Sequence, residues 1–225
     1  MKKKKRKIRL KSIIILLLII LIIASIVYYF RSKRVNNIYV KGNTFLKESY
    51  ILEQTGLINY PKIIEINTKK LEEKLLNEPL INKVSISKTI FGKVVVNIEE
   101  NIPLLKMSDN VYILSNGEME EYSLNAQVPY LLGEVDANIY DDFIKKFLLI
   151  DKNTLVKISE VEYAKTDLDN ERFLLYMNDG NLVYVTLSKI ELINSYNEIY
   201  PTLENKKGIL YLDSGNHFEI KSEKN

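Results

Sequence analysis

One unbroken apolar run stands out near the start of the chain. From Ser12 to Phe30 the sequence SIIILLLIILIIASIVYYF runs nineteen residues without a charge. As a helix it rises about 28 Å at 1.5 Å per residue, close to the ~30 Å hydrocarbon core of a bilayer. A helix apolar on every face has no side to turn to water, so the pattern predicts a membrane span over 12–30. A cleaved signal peptide is the rival reading. Its apolar core is typically shorter and ends in small residues, whereas this run ends in Tyr28-Tyr29-Phe30-Arg31.

Beyond residue 34 the pattern breaks into short elements. Val35 to Val40 alternates as a strand and stops at Gly42-Asn43. Leu46, Tyr50 and Ile51 mark a short helix that Gly56 ends, and Asn67 caps a second helix carrying Leu71 and Leu75, with Pro79 beyond it. Val84-Ser85-Ile86 and Val94 to Ile98 alternate on either side of a turn at Phe91-Gly92. The predicted order over 35–102 is β-α-α-β-β.

From 103 to 221 strands dominate. Tyr112 to Leu114, Val128 to Gly133 and Ile158 to Tyr163 read as strands, and Phe173 to Met177 and Leu182 to Thr186 flank Asn178-Asp179-Gly180 as a hairpin. Asp141-Asp142 is expected to open a helix with Phe143, Ile144, Phe147 and Leu148 on one side. Ser188-Lys189-Ile190-Glu191 has the form of a capping box, predicting a helix that carries Leu192, Tyr196, Ile199 and Leu203. Gly208 to Leu212, a turn at Asp213 to Asn216, and His217 to Lys221 form a closing strand pair.

Charge sharpens this division. Residues 1–34 hold eleven basic side chains and no acid, so the remaining 191 residues carry 21 basic against 29 acidic, a net −8. The basic excess before the span predicts residues 1–11 as a cytoplasmic tail and 35–225 as extracytoplasmic. An acidic body argues against nucleic acid as a partner. With no Cys and one His, disulfides, thiolate zinc sites and multi-histidine metal sites are excluded.

Val40-Lys41-Gly42-Asn43 before a helix, Asn67 opening the next, Pro79 to Val84, and Val94 to Pro103 together resemble a POTRA domain. Their place behind a basic tail and one span resembles the FtsQ/DivIB family of bacterial cell-division proteins. Val128 to Gly133 is similar to that family's Pro-x-Leu-x-Gly stretch. The resemblance implies an α+β fold: a single N-terminal transmembrane helix, a POTRA domain (35–102), then a mixed antiparallel-sheet β domain with flanking helices (103–221) and a short tail (222–225). It also implies a non-catalytic divisome scaffold at the septum of the cell membrane. Its partners are expected to be FtsB/DivIC-like and FtsL-like bitopic proteins, and through them the septal peptidoglycan synthase machinery, with the lipid bilayer holding the anchor. In the family a partner adds a strand to the C-terminal sheet edge, and the matching positions here are Asn216, His217, Phe218, Glu219 and Ile220. The chain's end at Asn225 implies that the long C-terminal tail of some members is absent.

A POTRA component of a secretion or envelope-assembly system is the alternative. It is disfavoured because a barrel of at least eight strands would be expected to follow, whereas the 123 residues after 102 include two helical stretches. A cell-wall enzyme is disfavoured too, since no nucleophile elbow, phosphate loop or zinc-hydrolase motif is present. The pairs Glu99-Glu100, Glu120-Glu121 and Asp141-Asp142 are expected to be solvated surface rather than glycosidase-like dyads. His217 is expected to be solvated. Most of the fifteen tyrosines are expected to pack, with Tyr39, Tyr163 and Tyr184 the candidates for exposure. No catalytic, cofactor or metal site is expected.

Overall fold

The computed structural model describes residues 10–203 and 206–221. The basic run at 1–9 and the tail at 222–225 lie outside the described residues. Helix α1 (Leu10–Ser32) takes in Leu10 and Lys11 as well as the apolar run. Its stretch Ile13–Ser32 has a mean hydropathy of 3.1, and none of it is buried within the protein. Twenty helical residues rise about 30 Å, which suits a bilayer rather than water.

The chain then divides into two units, one ending at Glu100 and one starting at Asn101. In the first, β1 (Asn37–Lys41), α2 (Glu48–Thr55), α3 (Thr68–Leu75), β2 (Ile81–Lys88) and β3 (Lys93–Glu100) follow the expected β-α-α-β-β order. The sheet order is β1-β3-β2, with β1 parallel and β2 antiparallel to β3. Ile51, Leu57, Leu75, Val94 and Val96 fill the core between helices and sheet. Local chemistry sets the ends. Gly56 terminates α2 in the left-handed region, at φ 69°, and the Asn67 side chain accepts a bond from the Lys70 amide at the start of α3. Gly42 is required twice, by its φ of +84° and because a Cβ there would lie 2.0 Å from the Ile98 carbonyl oxygen.

Two carboxylates in this unit serve the backbone. Glu100 accepts from the amides of Thr44, Phe45 and Leu46 at 2.8, 2.8 and 2.9 Å. It is therefore a structural anion that satisfies a turn, not the solvated surface charge its sequence position suggests; its neighbour Glu99 does face water, paired with Lys83. Glu72 of α3 reaches the outer side of β2 and accepts from the Ile86 amide at 2.6 Å.

The second unit is built on a nine-stranded mixed sheet ordered β12-β11-β10-β9-β8-β7-β4-β5-β6. Its strands are β4 (Pro103–Lys106), β5 (Val111–Leu114), β6 (Met119–Glu121), β7 (Tyr130–Leu132), β8 (Ile158–Tyr163), β9 (Arg172–Met177), β10 (Leu182–Thr186), β11 (Gly208–Tyr211) and β12 (His217–Ile220). The pairs β4–β7, β7–β8 and β10–β11 are parallel and the others antiparallel. Helix α4 (Ala137–Phe147) packs one face, where Phe143 stacks on Phe173 at 4.8 Å, and the short α5 (Lys152–Leu155) follows it. Helix α4 starts at Ala137, so Asp141-Asp142 lies exposed in mid-helix instead of opening it.

The segment after β10 also departs from expectation. Leu187–Ser195 is a 3-10 helix, followed by a single α-turn, α6 (Tyr196–Ile199), and no side chain caps the start. The buried positions are Leu187, Ile190, Ile193 and Tyr196. They recur every third residue, the repeat of a 3-10 helix, so the tighter winding keeps all four on the sheet. Leu192, expected on the inner face, is 36% exposed.

Candidate partner-binding edge of the C-terminal sheet

Strand β12 is the terminal strand at one end of the nine-stranded sheet. Among the described residues it pairs only with β11, in the register Gly208↔Ile220, Ile209↔Glu219, Leu210↔Phe218 and Tyr211↔His217. The Lys221 amide donates to the Lys207 carbonyl at 2.9 Å, and the Gly208 amide turns the other way, to Asn181 Oδ1. Bonded and non-bonded pairs alternate along an antiparallel ladder. Glu219 and His217 therefore face β11 with their backbone groups, while Phe218 and Ile220 point their N–H and C=O out of the sheet.

The side chains of β12 divide between two faces. Phe218 is part-buried against the main core, on the side of buried Leu210, and Ile220 on the same side is 55% exposed. The Phe218 ring sits over Gly208, where an added Cβ would come 2.6 Å from Cζ and 2.1 Å from the Glu219 carbonyl oxygen. The close approach of these strands thus requires glycine. Asn216 enters the strand in the left-handed region, at φ 50°, a conformation asparagine tolerates better than most residues.

On the opposite face the ladder of side chains is aromatic and cationic. His217 stacks on Tyr211, with ring centroids 4.7 Å apart, and Tyr211 stacks on Tyr184 at 5.5 Å. The Arg172 guanidinium lies 3.6 Å from the centre of the Tyr184 ring. Four adjacent strands thus contribute one planar group each. Arg172 Nε also donates to Asp213 Oδ2 at 2.7 Å, tying β9 to the turn that precedes β12. Desolvation works against the Asp213 charge, but hydrogen bonds from Arg172 and Ser214 outweigh it and hold the carboxyl below its ordinary range. Partial desolvation, then the Glu219 carboxylate, push the Tyr211 phenol up.

All five residues expected at the edge, Asn216 to Ile220, lie at this end of the sheet. His217 is exposed, and its Nδ1 sits 3.1 Å from the Ser214 carbonyl oxygen. Arg172, Tyr184 and Tyr211 were not singled out by sequence as part of it. Their common signal is a planar side chain at a non-core position of each strand. Glu120 and Glu121 lie on β6, the opposite end strand. Of the tyrosines expected to be exposed, Tyr39 is 46% exposed, while Tyr163 and Tyr184 are part-buried.

Residues 33–101 match the model of the FtsQ-type POTRA domain. The cell division protein DivIB of Bacillus subtilis (strain 168) is 29% identical over 197 residues, covering 83% of this chain and 74% of that protein. DivIB of Listeria monocytogenes is 27% identical over 202 residues, covering 85% and 74%. DivIB of Geobacillus kaustophilus is 24% identical over 193 residues, covering 82% and 74%. The solved major extracytoplasmic domain of Geobacillus stearothermophilus DivIB, in its trans isomer, aligns with 47% of this chain and 96% of that one, at 23% identity and a TM-score of 0.39.

Proposed function

We propose that this chain, a homologue of the DivIB cell division proteins with an FtsQ-type POTRA domain, is a non-catalytic scaffold of the bacterial division machinery. Helix α1 anchors it in the cell membrane. The basic residues ahead of α1 keep the N-terminus in the cytoplasm and the two folded units outside. The protein gathers at the septum, where it binds FtsB/DivIC-like and FtsL-like partners and links them to septal peptidoglycan synthesis.

The observation that carries this reading is the outward-facing backbone of Phe218 and Ile220 on the terminal strand β12. A partner segment in extended form pairs with those amides and carbonyls as a tenth strand, and its alternate side chains read the two faces of the sheet. One face offers exposed Ile220 beside Phe218, and the other offers the planar surface of His217 and Tyr211. The absence of catalytic motifs in the sequence supports recognition, not chemistry, as the task.

A fluorescent fusion of the full chain in dividing cells tests the reading. Enrichment at midcell that depends on α1 is expected. An even distribution round the envelope throughout the cycle overturns the scaffold role.

A further inference from the structure

We propose that the end of the POTRA domain nearest α1 rests on the lipid bilayer itself, with Tyr60, Ile64 and Phe91 seated among the headgroups of the outer leaflet. The inference builds on the reading of α1 as a membrane anchor.

Ile13–Ser32 is twenty residues of helix, enough to fill a hydrocarbon core of about 30 Å, and the headgroup layer beyond it is only ~5–8 Å deep per leaflet. Lys33 therefore sits at the edge of that layer. Its carbonyl accepts from the Ile63 amide at 2.9 Å, and Arg34 forms a β-bridge with Lys62. Arg34 also donates to the Tyr60 carbonyl. Two residues on, the Asn36 amide bonds the Gly92 carbonyl at 2.9 Å, and its side chain donates to the Phe91 carbonyl. The loop at 57–66 and the turn at 89–92 are thus held against the chain where it leaves the membrane. An extended chain gains at most ~3.6 Å per residue, so neither loop can stand far from the lipid.

What these loops present is unlike an ordinary solvated turn. Ile58 is 44% exposed, Tyr60 51%, Ile64 56%, Ile90 58% and Phe91 69%. Tyr60 holds a left-handed backbone, φ 47° and ψ 59°, unfavourable for a residue with a Cβ. Apolar and aromatic side chains exposed together mark a surface that is covered in use, and aromatic rings are favoured at the membrane–water boundary. Charge agrees. Across residues 31–36, 57–66 and 89–93 the sequence has Arg31, Lys33, Arg34, Lys62 and Lys93 against a single acid, Glu65. A basic rim around apolar groups fits an anionic lipid surface.

The chain contains no Trp, so single-Trp variants of the full-length protein report position directly. The vesicles are phosphatidylglycerol and phosphatidylcholine carrying lipids with a nitroxide quencher in either the headgroup or the acyl chain. Ile64→Trp and Phe91→Trp are the probes. Leu18→Trp in α1 is the reference within the span. Leu76→Trp, 49% exposed, follows α3 at the far end of the domain and is the solvent reference.

Headgroup quenching of both probes at least threefold steeper than that of Leu76→Trp is expected, together with acyl-chain quenching of Leu18→Trp. Probes no more quenched than Leu76→Trp, with Leu18→Trp still quenched, overturn the docked face and leave it open to a protein partner. An unquenched Leu18→Trp overturns the anchor reading and the docked face with it. A spin label at Ile58→Cys, in a chain with no native cysteine, gives depth independently through its relative accessibility to oxygen and to a nickel chelate.

Discussion

The imidazole of His217 lies flat on the ring of Tyr211, with planes 12° from parallel and centroids 4.7 Å apart. Beyond its backbone bonds to β11, the terminal strand is therefore held by a stack on the face away from the core. Replacing His217 by Ala removes a contact of about 0.5–1.5 kcal/mol. The expected outcome is a small loss of global stability in urea titration. A larger rise in amide hydrogen exchange is expected along β12 than along β9, because the loss is felt first at the edge.

Arg172 and Asp213 form a largely shielded pair, with side chains 19% and 9% exposed. Removing either partner leaves the other charge poorly solvated, and Asp213→Ala is expected to cost about 2–3 kcal/mol. The pH dependence has a definite sign. Because the folded pKa of Asp213 is lowered, its contribution is fully present above the unfolded carboxyl value and is lost as pH falls through the folded one. Urea midpoints measured from pH 7 down to pH 2 are expected to fall less steeply at the acid end for Asp213→Asn than for the natural chain.

Tyr196 is fully buried, donating to Asp179 Oδ2 at 2.6 Å and accepting from Asn181 Nδ2 at 3.0 Å. Burial, then the Asp179 carboxylate, raise its phenol well above the ordinary range. Stability from this group is complete below the unfolded tyrosine pKa and is lost as pH rises towards the folded value. Tyr196→Phe is expected to lower stability at neutral pH by about 1–2 kcal/mol. Thermal melts between pH 8 and pH 11 are expected to show a flatter alkaline decline in that variant.

The proposed strand addition depends on N–H groups directed away from β11. Ile220→Pro deletes one of them without removing a ladder bond to Gly208, since that pair is not hydrogen-bonded to each other. Binding of the outer segment of a DivIC-like coiled-coil protein to the full-length variant is expected to weaken at least tenfold by titration calorimetry. Unchanged affinity in a variant that still melts cooperatively removes β12 as the docking edge.

Much of this was legible because the signals were local. Gly56, Asn67 and the turn at Phe91-Gly92 act within a few residues of themselves, and their neighbourhoods fold as the residue types predict. The segment from Leu187 was misread because two periods share positions. Leu192, Tyr196 and Ile199 fit a spacing of four and three, while Leu187, Ile190, Ile193 and Tyr196 fit a strict three, and only packing against the sheet selects the second. Arg172, Tyr184, Tyr211 and His217 lie on four strands whose adjacency includes a parallel pairing of β10 with β11. No periodicity within one strand reveals that neighbour. Glu100 was hidden for a similar reason, as the amides it serves are more than fifty residues earlier.

Glu72, bonded to the Ile86 amide on the outer side of β2, has a consequence for proteins crowded together in one membrane. An exposed strand margin invites copies of the same chain to zip into ribbons. With a carboxylate already holding that amide, an intruding strand must first displace the Glu72 side chain to pair there. At that one position the domain's own helix supplies the acceptor that a neighbouring copy would otherwise offer.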